Sequence, residues 1–170
     1  MRRGHKRSDY LERIQRIKSS NRRLALTSDI IVGFPGETDD DFRQTLELVE
    51  QSEYDSLYIF KYSRRAGTPA ANFDDTVSEK EKTNRFLELE KVQRQTQEKI
   101  FGSYVGRTLS VLAEKRSSRS ESDLSGHSTC HKVVNFAGDR SLEGEIVDVL
   151  VTGAKTNSLY GQLAGRAAVV

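Results

Sequence analysis

The stretch Leu24 to Thr38 limits what this chain can fold into more than any other, because strand, turn and helix start follow one another in it without a gap. Leu24 to Val32 is apolar and β-branched with no proline, the pattern of a parallel strand covered on both faces. Gly33-Phe34-Pro35-Gly36 ends it: glycine reaches backbone angles that other residues avoid, and Pro35 has no N–H to give to a ladder. Thr38 suits the N-cap of the helix that follows, and Asp39, Asp40 and Asp41 set negative charge against the positive end of its macrodipole. Phe42, Leu46 and Val49 then recur at helical spacing and form one apolar stripe. Asp29 is out of place in the strand. A carboxylate there is costly to bury unpaired, so it is expected beside an end open to a ligand or against a partner.

The 170 residues suffice for one or two domains, and 35% apolar with 31% charged is ordinary for a soluble protein. A formal charge of +2 does not by itself point to nucleic acid, although Met1 to Arg23 carries nine Lys/Arg against two acids. No apolar run reaches the length needed to cross a bilayer, and the basic N-terminus lacks the apolar core of a signal peptide, so a cytoplasmic protein is expected. Cys130 is the single cysteine. It has no partner for an internal disulfide, and no Cys/His cluster has metal-ligand spacing, so the usual cysteine set of an iron–sulfur cluster is missing.

Taken in order, Ser8 is the expected N-cap of a first helix with Leu11, Ile14 and Ile17 on one face, ended by Asn21-Arg22-Arg23. Tyr54 to Tyr62 reads as a second strand, so helix, strand, helix, strand succeed one another and imply an α/β unit with parallel pairing. Two strands are too few for a parallel sheet, and this part reads as a slice of a larger α/β structure. Ser63 to Ala71 is a loop punctuated by Gly67-Thr68-Pro69, and Ser78-Glu79-Lys80-Glu81 is a capping box opening a long helix to about Ile100. That helix has Phe86, Leu87, Leu89, Val92, Ile100 and Phe101 as its apolar residues. From Tyr104 the character changes: Thr108–Leu112, His131–Phe136, Glu145–Val151 and Ser158–Leu163 are short β-like runs that suggest a small antiparallel β-barrel. Lys115 to Ser128, with six serines, is expected to be a solvated loop, and the domain boundary is expected at about residue 103.

Five phrases in order resemble one family: Met1-Arg-Arg-Gly-His5, Thr27 to Thr38, Phe60-Lys-Tyr-Ser63 with Gly67-Thr-Pro69, Val133-Val-Asn-Phe136, and Asn157-Ser-Leu159 with Gly161. Together they are similar to the C-terminal part of the radical S-adenosylmethionine (SAM) methylthiotransferases. The resemblance implies that residues 1–103 are the C-terminal part of a radical-SAM partial (β/α) barrel. Residues 104–166 would be a TRAM domain, a small RNA-binding β-barrel. It further implies SAM and 4Fe-4S clusters as cofactors, tRNA as partner, a monomer, and transfer of a methylthio group to carbon 2 of N6-dimethylallyladenosine next to the anticodon. Members of the family begin with a cluster-binding domain and a Cys-x-x-x-Cys-x-x-Cys loop. Neither stands in this sequence, so the chain is expected to be a C-terminal fragment that is inactive alone. Two alternatives remain open: an RNA-binding module without catalysis, and a sister methylthiotransferase acting on threonylcarbamoyladenosine or on a ribosomal protein.

The same resemblance suggests site residues, each with a plainer competing reading. Asp29 would accept hydrogen bonds from the ribose hydroxyls of SAM, and the alternative is a carboxylate paired or solvated. Arg3 would bind the SAM carboxylate through its guanidinium fork, against a solvated basic arm. Gly33 would bring the turn backbone to the adenine; a phosphate cradle is disfavoured because the Gly-Lys-Ser/Thr ending is missing. Arg64 and Arg65 follow a strand, where α/β barrels place binding loops. In the small barrel, Arg107, Lys115, Lys132 and Lys155 are candidate phosphate contacts, with Arg116, Arg119, His131 and Arg166 beside them. Phe136 and Tyr160 are candidates for base stacking, although aromatics in a small barrel are more often core. Cys130-His131 is read as a packed thiol beside an exposed imidazole rather than a nucleophile or metal pair.

Overall fold

The computed structural model describes residues 4–20, 24–117, 120 and 122–165, which fall into two units, Met1–Thr96 and Gln97–Val170. Arg3, Asn21-Arg22-Arg23, Arg119 and Arg166 lie outside the described residues.

The first unit runs α1 (Arg7–Lys18), β1 (Thr27–Val32), α2 (Asp39–Ser52), β2 (Ser56–Lys61) and the greater part of α3 (Glu79–Gly102). β1 and β2 pair in parallel from Thr27 opposite Ser56 to Val32 opposite Lys61. Their inner face, with Ile30, Val32, Leu57 and Ile59, packs on Phe42, Leu46 and Val49 of α2 and on Leu89 of α3. The other face is bare: Asp29, Ile31, Tyr58 and Phe60 are exposed. β1 is therefore covered on one face and not on both, because two strands carry helices on one side only.

Local chemistry sets the helix ends. Thr38 accepts the N–H of Asp41 and Asp41 returns its carboxylate to the N–H of Thr38, a complete capping box. α1 starts before the expected Ser8, with Lys6 at the N-cap, since the Asp9 carboxylate accepts the Lys6 N–H. In α3, Ser78 accepts the N–H of Glu81, but the Glu81 side chain turns forward to Arg85. The stripe α3 buries is Lys82, Arg85, Leu89 and Gln93, and Leu87 points to solvent.

Tyr10 of α1 and the buried Tyr54 share a hydrogen bond between their hydroxyls. Burial, helped by that bond, pushes the Tyr10 hydroxyl from 10.0 up to about 12. With the folded-state value raised, the contact contributes fully below pH 10 and its contribution is lost as pH rises from 10 through 12. Tyr10→Phe is expected to remove this alkaline limb from the pH profile of unfolding by urea, and an unaltered limb would detach it from Tyr10.

The second unit is a closed barrel of β3 (Thr108–Arg116), β4 (Asp123–Ser128), β5 (Val133–Ala137), β6 (Ile146–Lys155) and β7 (Ser158–Leu163), in the order β3-β4-β5-β7-β6. Every pair is antiparallel except β5–β7, which is parallel. The expected loop from Lys115 to Ser128 is half wrong. β4 alternates Leu124, Gly126 and Ser128 inward with Asp123, Ser125 and His127 outward, and supplies the strand that closes the ring. β5 starts at Val133 rather than His131, since His131 takes a left-handed φ of 58° in the turn and gives its N–H to Ser128. Val111, Ala113, Leu124, Val134, Phe136, Val149, Val151 and Leu159 fill the interior, with Phe101 and Tyr104 packed on them.

Candidate functional sites

The turn after β1 is held from behind by two buried cations. Gly33 has a φ of 72°, and a Cβ on it would lie 2.3 Å from Lys82 Cγ, so only glycine fits against that side chain. The Gly33 N–H donates to the Glu37 carboxylate, which also accepts from Arg85 Nη1 at 2.8 Å. Arg85 further donates to the Glu37 carbonyl at 3.1 Å, to Asp39 at 2.7 Å and to Glu81 at 3.1 Å. Lys82 Nζ donates to Asp75 at 2.7 Å and Glu79 at 2.9 Å and lies 5.6 Å from the centre of the Tyr62 ring. Burial pulls the pKa of Lys82 down, but its hydrogen bonds to Asp75 and Glu79 outweigh that and raise it; Arg85 is raised likewise by Glu37 and Asp39. The Lys82 hydrogen bond holds the Asp75 carboxyl below the usual carboxylate range. Neither cation was singled out from the sequence. The available signal was their spacing, four and seven residues ahead of Leu89 on one helical stripe.

In front of this turn, at the carboxyl ends of β1 and β2, opens a cavity of about 890 Å³ lined by Ile31, Phe34, Phe60, Tyr62 and Phe73, with Arg65 among its polar groups. Phe34 meets Tyr62 and Phe73 edge-on, at 5.2 and 6.2 Å between ring centres. Tyr62 Oη donates to the Ala70 carbonyl and Arg64 to the Phe73 carbonyl, both at 3.0 Å, so the loop after β2 is tied over the aromatic wall. The carboxyl ends of parallel strands are where α/β sheets bind ligands, and a mostly apolar wall with a few polar groups suits a planar organic group. Asp29 stands mid-strand on the bare face, opposite Tyr58 and two residues before Ile31. It enters no hydrogen bond or ion pair with the described residues. Gly33 is buried with its N–H committed to Glu37.

On the barrel, Arg107, Lys115 and Lys155 are exposed, on three different stretches of chain. Lys132 is not a surface contact: it is 4% exposed, with its ammonium 5.1 Å from the centre of the Phe101 ring, in the turn just before β5 and on the same inward side as Val134 and Phe136. Phe136 is fully buried and is core rather than a stacking surface, whereas Tyr160 is exposed. Cys130 is half-buried with its Sγ 3.3 Å from both Tyr104 Oη and Ser128 Oγ. His131 is exposed and stacks on His127 at 4.8 Å, and His127 Nδ1 meets Glu114 at 2.9 Å. Among the described residues no group of three His, Cys, Asp or Glu converges as metal ligands, and no helix is long and apolar enough to cross a membrane.

Residues 102–164 match the TRAM domain. The chain is 44% identical, over 95% of its length, to the tRNA-2-methylthio-N(6)-dimethylallyladenosine synthase of Clostridium tetani (strain Massachusetts / E88), of which it covers 36%. It is 40% identical over 96% of its length to the synthase of the same name from Acetivibrio thermocellus, covering 34% of it. The corresponding protein of Methylococcus capsulatus is 42% identical over 98% of the chain, with 36% of its own length covered. The chain thus spans about a third of the length of the curated relatives it matches. Through both its units this chain is similar to the C-terminal part of the tRNA-2-methylthio-N(6)-dimethylallyladenosine synthases, and its closed barrel lies within the residues that match the TRAM domain.

Proposed function

We propose that the chain works as part of a tRNA methylthiotransferase that modifies carbon 2 of N6-dimethylallyladenosine beside the anticodon. The observation that carries the reading is 40–44% identity, sustained over at least 95% of the chain, to synthases named for that product. Residues 1–103 then act as the C-terminal part of a radical-SAM barrel, and residues 104–166 as the unit that meets tRNA.

The cofactors fit this chain unequally. Cys130, its single thiol, lies against two hydroxyls without converging ligands, so the described residues do not fit an iron–sulfur cluster. The first unit suits an adenosyl ligand better. In this reading SAM, which supplies the methyl group when bound, is held along the bare face of β1 and β2. Asp29 accepts from its ribose hydroxyls, and the aromatic cavity takes a planar ring. The Gly33 contribution is indirect, since its N–H is already used: the turn carries Phe34 into the cavity wall. Arg3 completes the set as the proposed carboxylate contact.

The test is deletion of the reading frame in its source cell, with nucleosides from total tRNA measured by mass spectrometry. Loss of 2-methylthio-N6-dimethylallyladenosine, with the unthiolated nucleoside accumulating, is expected. Loss confined to a methylthiolated threonylcarbamoyladenosine would assign the sister reaction, and an unchanged nucleoside profile would overturn tRNA methylthiolation altogether.

A further inference from the structure

We infer that the outer row Lys115–Ser125–Asn135–Tyr160 of the barrel is a subsite for an unpaired RNA base, with Tyr160 stacking on its face and Asn135 bonding its edge. This rests on the reading that the second unit meets RNA. The row follows from the strand register alone: Lys115 on β3 opposes Ser125 on β4, Ser125 opposes Asn135 on β5, Asn135 opposes Tyr160 on β7, and Tyr160 opposes Gly153 on β6. Alternation sends their neighbours Leu124, Gly126, Val134, Phe136, Leu159 and Gly161 inward, so the row itself faces out. Of the barrel unit's aromatic residues Phe101, Tyr104, Phe136 and Tyr160, the first three are buried, and Tyr160 is 42% exposed.

Two features point to a base rather than to an idle surface. Beside Tyr160 stands Gly153, and a Cβ there would touch nothing within 4 Å, so the space next to the ring is left open although a side chain would fit it. The side chains of Lys115, Ser125, Asn135 and Tyr160 make no hydrogen bond or ion pair with the described residues, and no acid stands in the row. An aromatic face, an amide carrying donor and acceptor, and a cation two strands beyond the amide match the face, edge and phosphate of one nucleotide. Asn135 lies about 5 Å from Tyr160 across one strand spacing, within reach of the same base. A paired base offers no free face, so the subsite selects single-stranded RNA.

Binding of the full chain to an unstructured CAA-repeat RNA and to a duplex of equal length, by fluorescence anisotropy over a salt series, tests this. Tyr160→Ala is expected to weaken single-strand binding about tenfold at every salt concentration, leaving the salt slope and duplex binding unchanged, while Tyr160→Phe stays within about twofold. Lys115→Ala is expected to reduce the slope by about one. Wild-type binding that Tyr160→Ala leaves intact, or weakens equally on duplex, would overturn the subsite while the RNA reading stands. A loss equal in Tyr160→Phe and Tyr160→Ala would overturn stacking. No binding of either RNA by the wild type would bring down the RNA reading and the subsite with it.

Discussion

Arg85→Ala is expected to destabilise the first unit by about 3–5 kcal/mol, the range for removing one partner of a buried ion pair. Arg85 donates to three carboxylates, but they do not count equally. Asp39 is 95% exposed and Glu81 42% exposed, so those arms are surface pairs worth at most about 1 kcal/mol each. Glu37 is 11% exposed and also receives the Gly33 N–H; without the guanidinium it becomes an uncompensated charge beneath the turn. The check is the urea midpoint together with amide exchange of α2 and α3. Arg85→Lys is expected to recover less than half of the loss, because one ammonium cannot reach Glu37, Asp39 and Glu81 at once. In a double-mutant cycle, Glu37→Gln should remove most of the effect of Arg85→Ala. Independent, additive effects would show that the Glu37 contact does not carry the stability.

The second large effect lies in the barrel. A Cβ on Gly126 would fall 1.9 Å from the Leu112 carbonyl oxygen and 2.8 Å from its carbon, contacts with backbone that no rotamer change relieves. The facing strand bulges between Ala113 and Lys115, directly beside this contact, since Gly126 pairs with Ala113. Gly126→Ala is expected to cost about 3 kcal/mol, the upper end for overpacking, and to lower the melting temperature of a unit this size by more than about 10 °C. Gly161→Ala should follow it more mildly, its Cβ meeting the Leu150 oxygen and Val149 Cγ1 at 2.5 Å. Gly153→Ala is the control: nothing lies within 4 Å of that Cβ, and its melting temperature should barely move. Equal stability for the variants at 126 and 153 would mean that the β3–β4 approach relaxes freely.

Much of the local structure was legible before any fold was known. The N-cap at Thr38, the apolar stripe Phe42-Leu46-Val49, the break at Gly33-Phe34-Pro35-Gly36 and β7 from Ser158 to Leu163 depend on residues within a few positions of one another. The candidate sites were legible in part. Asp29 stood out because it breaks an apolar pattern, and Tyr160 because it is a large ring in a short strand. Lys132 looked like a surface contact, while Phe136 was already expected to be more often core than stacking; inward and outward positions of an edge-free barrel differ only by parity, and β5 starts at Val133. β4 escaped notice because six serines look like a loop until β3 and β5 flank them.

Sequence alone thus determined where α2, α3, β3 and β7 begin, which glycines must stay glycine-like in the turn, and the family that the ordered phrases resemble. These are matters of backbone sterics and short-range hydrogen bonding, complete within each segment. The tertiary structure alone decided that Lys82 and Arg85 are buried, that the sheet is bare on the side of Asp29, Ile31, Tyr58 and Phe60, and that Lys115, Ser125, Asn135 and Tyr160 share one row. Each of these joins segments far apart in the chain. Burial of a charge depends on the partners that meet it, as Asp75 and Glu79 meet Lys82 and Glu37 meets Arg85, and a surface row depends on the register of strands that local propensity leaves free.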